Sequence, residues 1–319
     1  MILSLALCGA DYAPVAWKGV CHHGRMLGGR SIRLARIFGI RVGVDVSWFV
    51  FLFLVIWLET GYYRDQFPGH DTRAFELAVL SAFLFFLSIL LHELGHAAAA
   101  RMNGIGIAGI DLFMFGGVAR MRRDSTSPGV DLAIAIAGPI VTLAIAGLCF
   151  VIGAAAVGVH DFVDVLRYRA VGPSAGTAVV ADVGRINAIL FVFNLLPGLP
   201  LDGGRVVRAI AWWRTGDRTR ATLVTARSGR AVGYLIGAAG IYLAASGRSI
   251  ASGVWLLFIA MFLAQAARSV ELQTAMTARI EHLRVADAVL RPSERTAGSR
   301  ARPARSSRPR AAPPRRRRP

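Results

Sequence analysis

The sequence predicts an all-α polytopic membrane protein with about six transmembrane helices and a short membrane-associated β segment. The 319 residues are 55% hydrophobic and only 18% charged, with a mean hydropathy of +0.51. That composition is too apolar for an ordinary soluble domain. Several apolar stretches also approach the roughly 20 residues that a helix needs to cross a bilayer. We therefore expect a multi-pass protein of the cell membrane that contacts the lipid bilayer.

Six apolar segments are predicted to be transmembrane spans, and the ends of each are placed to within a few residues. They are placed at about 47–60, 72–101, 130–158, 176–197, 229–246 and 250–267. Before the first span, residues 31–46 alternate basic and apolar side chains. This pattern is typical of a short interfacial strand or amphipathic piece that leads into the bilayer.

Positive charge is distributed unevenly between the two sides of the predicted spans. The side that contains both termini has 31 Lys and Arg residues, and the other side has 6. Because basic loops remain cytoplasmic, both termini are expected in the cytoplasm. The net charge of +18 would by itself suggest a nucleic-acid partner. However, this charge is spread over short loops and the tail, so we expect no nucleic acid and attribute the tail to anionic lipid.

Both ends of the chain are predicted to lie outside a membrane domain at 31–270. Residues 1–30 are interpreted as an N-terminal extension that need not be native, with Met26 as an alternative start. Its Cys21-His22-His23 cluster could bind metal, although three adjacent ligands without further partners are more often incidental. Residues 271–319 are rich in Arg and Pro. They are predicted to form a disordered cytoplasmic tail, because such a composition buries too little to fold alone.

The HELGH segment at 92–96 gives the strongest chemical signal. His92 and His96 are one helical turn apart on the same face, and this spacing lets two imidazoles reach one zinc ion. Glu93, beside them, could take a proton from a zinc-bound water and deliver it to the leaving amine. The motif also lies in an apolar run, where ionisable groups are costly and by default functional. A polar cluster that only holds helices together explains this combination less well.

A catalytic zinc site needs a third protein ligand, and Asp202 is the best candidate. It lies in a Pro/Gly-rich stretch at the end of the fourth predicted span, where Pro197 and Pro200 interrupt the helix. Irregular backbone at membrane depth is tolerated only beside protein or a water-filled cavity. Hydrolysis would require such a cavity.

Other acidic groups on the same side of the membrane are explained differently. Asp111, Asp124 and Asp131 lie in or beside a loop that also contains Arg120, Arg122 and Arg123. We expect ordinary solvated pairing to account for all three carboxylates. Asp202 is then the only acidic group that is predicted to lie on the cytoplasmic side and also in an interrupted helix at the end of a span.

These features resemble the site-2 protease family of intramembrane zinc metalloproteases, specifically its bacterial six-span branch. The resemblance covers about residues 30–270. It rests on HELGH at 92–96, FMFGGVARM at 113–121, IAGP at 136–139 and NLLPGLPLDGGR at 194–205. It implies that His92, His96 and Asp202 bind one Zn²⁺ per chain and that Glu93 is the catalytic base.

The resemblance also implies substrate-contacting residues. Asn194 falls where the family has a polar residue proposed to contact the substrate or the developing oxyanion. Phe113–Met121, with Gly116 and Gly117, is similar to the edge strand that the family is thought to use to hold an unwound substrate by β-addition. A simple re-entrant loop explains this segment equally well.

The implied function is zinc-dependent cleavage of a peptide bond within or near the transmembrane segment of another, single-pass membrane protein. In bacteria such regulated intramembrane proteolysis often acts on an anti-sigma factor. The alternative is a metal-cation transporter or sensor that uses the same His and Asp residues, since transporters also break helices at mid-membrane sites. A transporter does not need a glutamate beside the ligands.

Many relatives continue into paired CBS modules, whereas here an Arg-rich tail follows, so nucleotide regulation is not expected.

The predicted topology can be tested by cysteine labelling in a background without the native cysteines. A cysteine at Ser306 should react with a membrane-impermeant reagent only after the membrane is opened, because the tail is assigned to the cytoplasm. A cysteine at His160, which follows the third predicted span, should react in intact cells. Labelling of Ser306 from outside would show that the orientation is wrong.

Overall fold

The computed structural model describes residues 32–114, 116–169, 172–247 and 249–281. The predicted N-terminal extension, the Cys21-His22-His23 cluster and most of the tail lie outside these residues. In chain order the elements are β1 (Ile32–Ile37), β2 (Ile40–Val44), α1 (Val46–Gln66), α2 (Asp71–Met102), β3 (Ile107–Phe113), β4 (Gly116–Met121), α3 (Pro128–Val157), α4 (Val159–Leu166), α5 (Ala175–Asn194), α6 (Asp202–Thr215), α7 (Arg218–Ala245) and α8 (Ile250–Glu281).

Five helices within the described residues are long and apolar enough to cross a membrane. They are α1, α2, α3, α5 and the Ile250–Ala278 part of α8, and they coincide with the first four predicted spans and the sixth. The predicted fifth span lies in α7, whose apolar part begins only after Arg230 because arginines recur through its first half. The predicted class, helical with a small sheet, is thus confirmed. Among the described residues, five helices rather than six are long and apolar enough to cross a membrane.

The described strands form one four-stranded sheet in the order β1-β2-β3-β4. β1 and β2 form an antiparallel hairpin, and its turn residues Phe38 and Gly39 both have positive φ, at 50° and 79°. β2 pairs with β3 in parallel, and the connection between them consists of α1 and α2. The sheet therefore lies at the membrane face where α1 begins and α2 ends.

The sheet decides two predictions about short segments. The alternating residues at 31–46 form the β1–β2 hairpin over the part that the structure describes. Phe113–Met121 contains the last residue of β3, a turn and all of β4, which pairs antiparallel with β3 at the edge of the sheet. The segment thus forms a strand at the edge of the described sheet, as the first of the two readings requires, while its contact with substrate stays a prediction.

The irregular backbone around Asp202 is shorter than the Pro/Gly-rich stretch of the sequence, because only residues 195–201 lie between two helices. Helix α6 begins at Asp202 itself and runs to Thr215, and Gly216, with a left-handed φ of 71°, caps it. The preceding loop, residues 195–201, is fastened to α7, since the Ser228 hydroxyl donates to the Pro197 carbonyl at 2.8 Å. The loop backbone therefore has protein partners, and it holds the start of α6 in place.

Helix α8 continues past the predicted start of the tail at residue 271. Glu271 accepts from Arg230 at 2.8 Å and lies 3.4 Å from Arg227, both on α7. These ion pairs join α8 to α7 at the residue where the tail was predicted to begin. Thr277–Glu281, the described part of a second compact unit, is also helical.

Candidate metal centre

Three donor atoms from two helices converge at one point. Nε2 of His92 and Nε2 of His96 on α2 are 3.1 Å apart. Oδ2 of Asp202, in the first turn of α6, lies 3.0 Å from the former atom and 3.2 Å from the latter. The predicted ligand set is thus brought together, and within the described residues it is the group of His, Cys, Asp and Glu side chains that could hold a metal ion.

The spacing of these atoms suits a small tetrahedral cation. Zinc bonds to nitrogen and oxygen of about 2.0 to 2.2 Å place tetrahedral ligand atoms about 3.3 Å apart, close to the observed separations. Three lone-pair atoms at this distance repel one another unless a proton or a cation lies between them. The two histidines are also only 5% and 4% exposed, which shields the point from bulk water.

Helix α3 fixes the orientation of His96. Nδ1 of His96 lies 2.6 Å from the main-chain carbonyl of Ile134. A carbonyl only accepts, so Nδ1 carries the proton, and in neutral His96 the lone pair is left on Nε2. Such hydrogen bonds typically orient metal-binding imidazoles. By contrast, Nδ1 of His92 is buried and has no hydrogen-bond partner among the described residues.

Gly138 leaves room for both imidazoles. A Cβ atom at this position of α3 would overlap the ring of His96 and lie 2.7 Å from Nε2 of His92. Any larger residue would therefore occupy the space where the ring nitrogens meet Asp202. The IAGP motif contains this glycine, but nothing in the motif indicated that it faces the histidines.

Glu93 lies between the histidines and the sheet. It is 8% exposed, and a Cβ atom at Gly117 of β4 would overlap its Cγ and lie 2.9 Å from its Cδ. The missing side chain at Gly117 thus lets the edge strand approach the carboxylate closely. The candidate base and the candidate docking strand are direct neighbours.

The remaining candidates are not among the converging donor atoms. Gly116, the first residue of β4, has a φ of 124° and a Cβ atom there would meet nothing within 4 Å; its contact with substrate stays a prediction. Asn194 is the half-buried last residue of α5, just before the loop that leads to Asp202. No side-chain hydrogen bond of Asn194 is present within the described residues, and its contact with substrate stays a prediction.

The Asp202 carboxyl is held in its ionised form. Burial by itself would raise its pKa, but hydrogen bonds with His92 and His96 hold the pKa below its ordinary value. The position at the start of α6 adds to this effect, because the positive end of a helix dipole favours a carboxylate. The site can therefore offer a charged oxygen together with two imidazole nitrogens.

The expectation of solvated pairing is wrong for two of the three carboxylates. Asp111 of β3 is only 8% exposed and pairs with Arg41 of β2 and Arg120 of β4.

The other carboxylate is that of Asp131. Asp131 was expected to pair in solvent, but it is fully buried and pairs with Arg208 and Arg205 of α6. Asp124, by contrast, forms an exposed pair with Arg218 as expected. In the sequence Asp131 lies beside a loop with several arginines, so solvent exposure was expected. The helix that buries it is more than 70 residues away, and its packing could not be predicted from the sequence.

Known proteins provide an independent comparison. A model of peptidase family M50 matches residues 80–237. A relative from Synechocystis that is named as a zinc metalloprotease is 35% identical over 261 residues, covering 82% of this chain and 65% of the relative. The zinc metalloprotease Rip3 of Mycobacterium tuberculosis is 34% identical over 260 residues, covering 81% and 63%. The chain thus spans less than two thirds of the length of these curated relatives.

A solved structure is also similar. The site-2 protease of Methanocaldococcus jannaschii matches with 27% identity and a TM-score of 0.49, over 76% of this chain and 95% of that protein. The motifs, the family match at 80–237 and the apolar helices agree. Residues 80–237 of this chain therefore form a domain of peptidase family M50, and the chain is a multi-pass membrane protein.

Proposed function

We propose that the protein is a zinc-dependent endopeptidase that cleaves within or next to a transmembrane segment of another membrane protein. The observation that supports this most directly is the convergence of His92, His96 and Asp202 beside Glu93 at the end of an apolar helix. Its named relatives are zinc metalloproteases, which favours a protease over the alternative of a metal-cation transporter or sensor.

His92, His96 and Asp202 would hold one zinc ion, leaving a fourth position for water or substrate. Bound zinc would supply Lewis acidity for the attacking water and the scissile carbonyl. The negative charge of Asp202 offsets part of the metal charge in a poorly hydrated site, which two neutral imidazoles cannot do.

Glu93 would be the general base and acid. Glu93 follows His92 directly in sequence and precedes His96 by three residues, but its carboxylate is not one of the three converging donors, so it remains available for proton transfer. It would accept a proton from the attacking water and return it to the nitrogen of the leaving amine. Because Glu93 is almost fully buried, the proton is shielded from bulk solvent during the transfer.

The substrate would pair with the outer edge of β4, which no described strand covers. A transmembrane helix must unwind before its peptide bond becomes accessible, and an extended segment can then add to a sheet edge through main-chain hydrogen bonds. Gly117 places this edge against Glu93, so a strand docked there would lie close to the base. Asn194 would contact the substrate or the developing oxyanion.

The physiological substrate would be a single-pass membrane protein, for which an anti-sigma factor is the candidate that the family resemblance suggests. Both termini would lie in the cytoplasm. The sheet and the metal centre would then be near the cytoplasmic face, because α2 runs toward that face from Asp71 to Met102. Cleavage would release the cytoplasmic part of the substrate.

Replacement of Glu93 by Gln should abolish proteolysis but preserve zinc binding. Loss of a positioned acid–base group costs about 100-fold or more in rate, while the three donor atoms remain. The cleavage rate of a single-pass model substrate and the zinc content of the purified protein would be measured. Glu76→Gln, at an exposed position of the same helix, should leave both unchanged. Near wild-type cleavage by Glu93→Gln would refute the assigned role.

Replacement of Asp202 by Ala should lower zinc stoichiometry as severely as His96→Ala, because each substitution removes one of three donors. Metal analysis of the purified variants measures this. Asp124→Ala is the control, since Asp124 is an exposed carboxylate paired with Arg218, and it should keep its zinc. Full zinc occupancy in Asp202→Ala would exclude Asp202 as a ligand.

Replacement of Gly138 by Ala should also reduce zinc binding, although it removes no donor. The added methyl group would overlap the ring of His96 and separate the nitrogens from Asp202. Gly147→Ala on the same helix is the matched control, because its Cβ would meet nothing within 4 Å. Equal zinc affinities in the two variants would mean that the space beside Gly138 is not needed for the metal.

A further inference from the structure

Asp131 forms a buried ionic contact between α3 and α6. Its carboxylate accepts from Nη2 of Arg208 at 2.8 Å and from Nε of Arg208 at 3.0 Å. Nη2 of Arg205 is 3.5 Å away, and the Ser125 hydroxyl donates at 3.0 Å. Asp131 is 0% exposed. This arrangement is directional, because the planar guanidinium of Arg208 meets the carboxylate through two nitrogens.

The two arginines belong to the helix that presents Asp202. Arg205 and Arg208 follow Asp202 by three and six residues on α6. This helix starts after a Pro/Gly-broken loop, so no continuous helix connects its orientation to that of α5. The rotation of α6 about its axis decides whether Oδ2 of Asp202 points at the histidines. Some contact outside the loop must therefore fix that rotation.

One face of α3 contacts both ligand-bearing helices. Asp131, Ile134 and Gly138 are spaced three and four residues apart and share this face. Asp131 binds α6, the Ile134 carbonyl binds His96, and Gly138 accommodates the rings of both histidines. Helix α3 contributes no donor atom itself, yet it touches the elements that contribute all three.

We infer that Asp131 is a positioning residue for the metal centre: its buried contact with Arg208 and Arg205 sets α6 so that the Asp202 carboxylate meets His92 and His96. This inference rests on the proposed metal site. It assigns Asp131 a function through α6 rather than through direct contact with metal or substrate. The Asp131 carboxylate also supplies a counter-charge to these two partly buried arginines of α6.

Zinc affinity of the detergent-purified full chain, measured by competition with a chromogenic chelator, tests the inference. Asp131→Asn should weaken zinc binding about 10- to 100-fold, as is typical when a partner that orients a metal ligand is lost. Asp124→Asn, which alters the exposed pair with Arg218, should leave the affinity unchanged. The visible spectrum of the cobalt-loaded protein should change in Asp131→Asn alone, because it reports the geometry of the donor atoms.

A double variant separates positioning from general stabilisation. In Asp131→Asn the charges of Arg205 and Arg208 remain partly buried without their carboxylate. Asp131→Asn combined with Arg208→Gln removes the closer of the two charges and leaves a neutral pair that can still hydrogen bond. The double variant should recover most of the lost zinc affinity and the wild-type cobalt spectrum. If Asp131→Asn lowers the melting temperature but keeps wild-type affinity and spectrum, the pair only stabilises the fold and the inference is overturned.

Two further outcomes are informative. If Asp131→Asn does not fold, Arg208→Lys replaces it, since lysine keeps the charge but loses the two-nitrogen contact; it should still weaken zinc binding relative to Arg214→Lys at an exposed position of α6. Equal affinities in these two variants would overturn the inference. A wild-type chain that binds neither zinc nor cobalt would instead refute the proposed metal site, and the role of Asp131 with it.

Discussion

The contact of Asp202 with His92 and His96 is the interaction on which the rest of the structure depends. The aspartate lies 110 and 106 residues from the two histidines in sequence, so no local rule brings these groups together. Two polar imidazoles inside an apolar helix are costly unless they have partners. Their partners come from a short helix outside the spans and from the backbone of α3. The packing of α2, α3 and α6 is thus what turns a helical motif into a site.

The membrane imposes a second constraint, because backbone groups without partners are costly in lipid. The chain leaves regular helix close to the metal centre, in the loop before α6 and in the sheet. The loop is hydrogen bonded to α7, and the sheet satisfies its own strands except at its edges. One of those edges, β4, lies against Glu93. The same constraint that makes irregular backbone rare would make this free edge an effective place to bind an unwound segment.

Residues without reactive groups are as important here as the reactive ones. Gly117 and Gly138 act by the space they leave, one beside Glu93 and the other beside both imidazoles. Asp131 has a carboxyl group that could take part in chemistry, but it would act by placing helix α6. Metal sites commonly depend on such surrounding residues, which orient ligands and exclude alternatives. In this protein most of that support comes from one face of α3.

The sequence by itself determined the class of the protein, the approximate ends of most membrane helices and the identity of the candidate site residues. These features are encoded locally: apolar length specifies a span, and a spacing of four residues places His92 and His96 on one face. Only the tertiary structure decided that β4 is an edge strand, that a helix, α6, begins at Asp202 within the Pro/Gly-rich stretch, and that Asp131 is buried rather than solvated. The physical reason is that burial and pairing depend on which distant element packs nearby, and neither composition nor spacing records that.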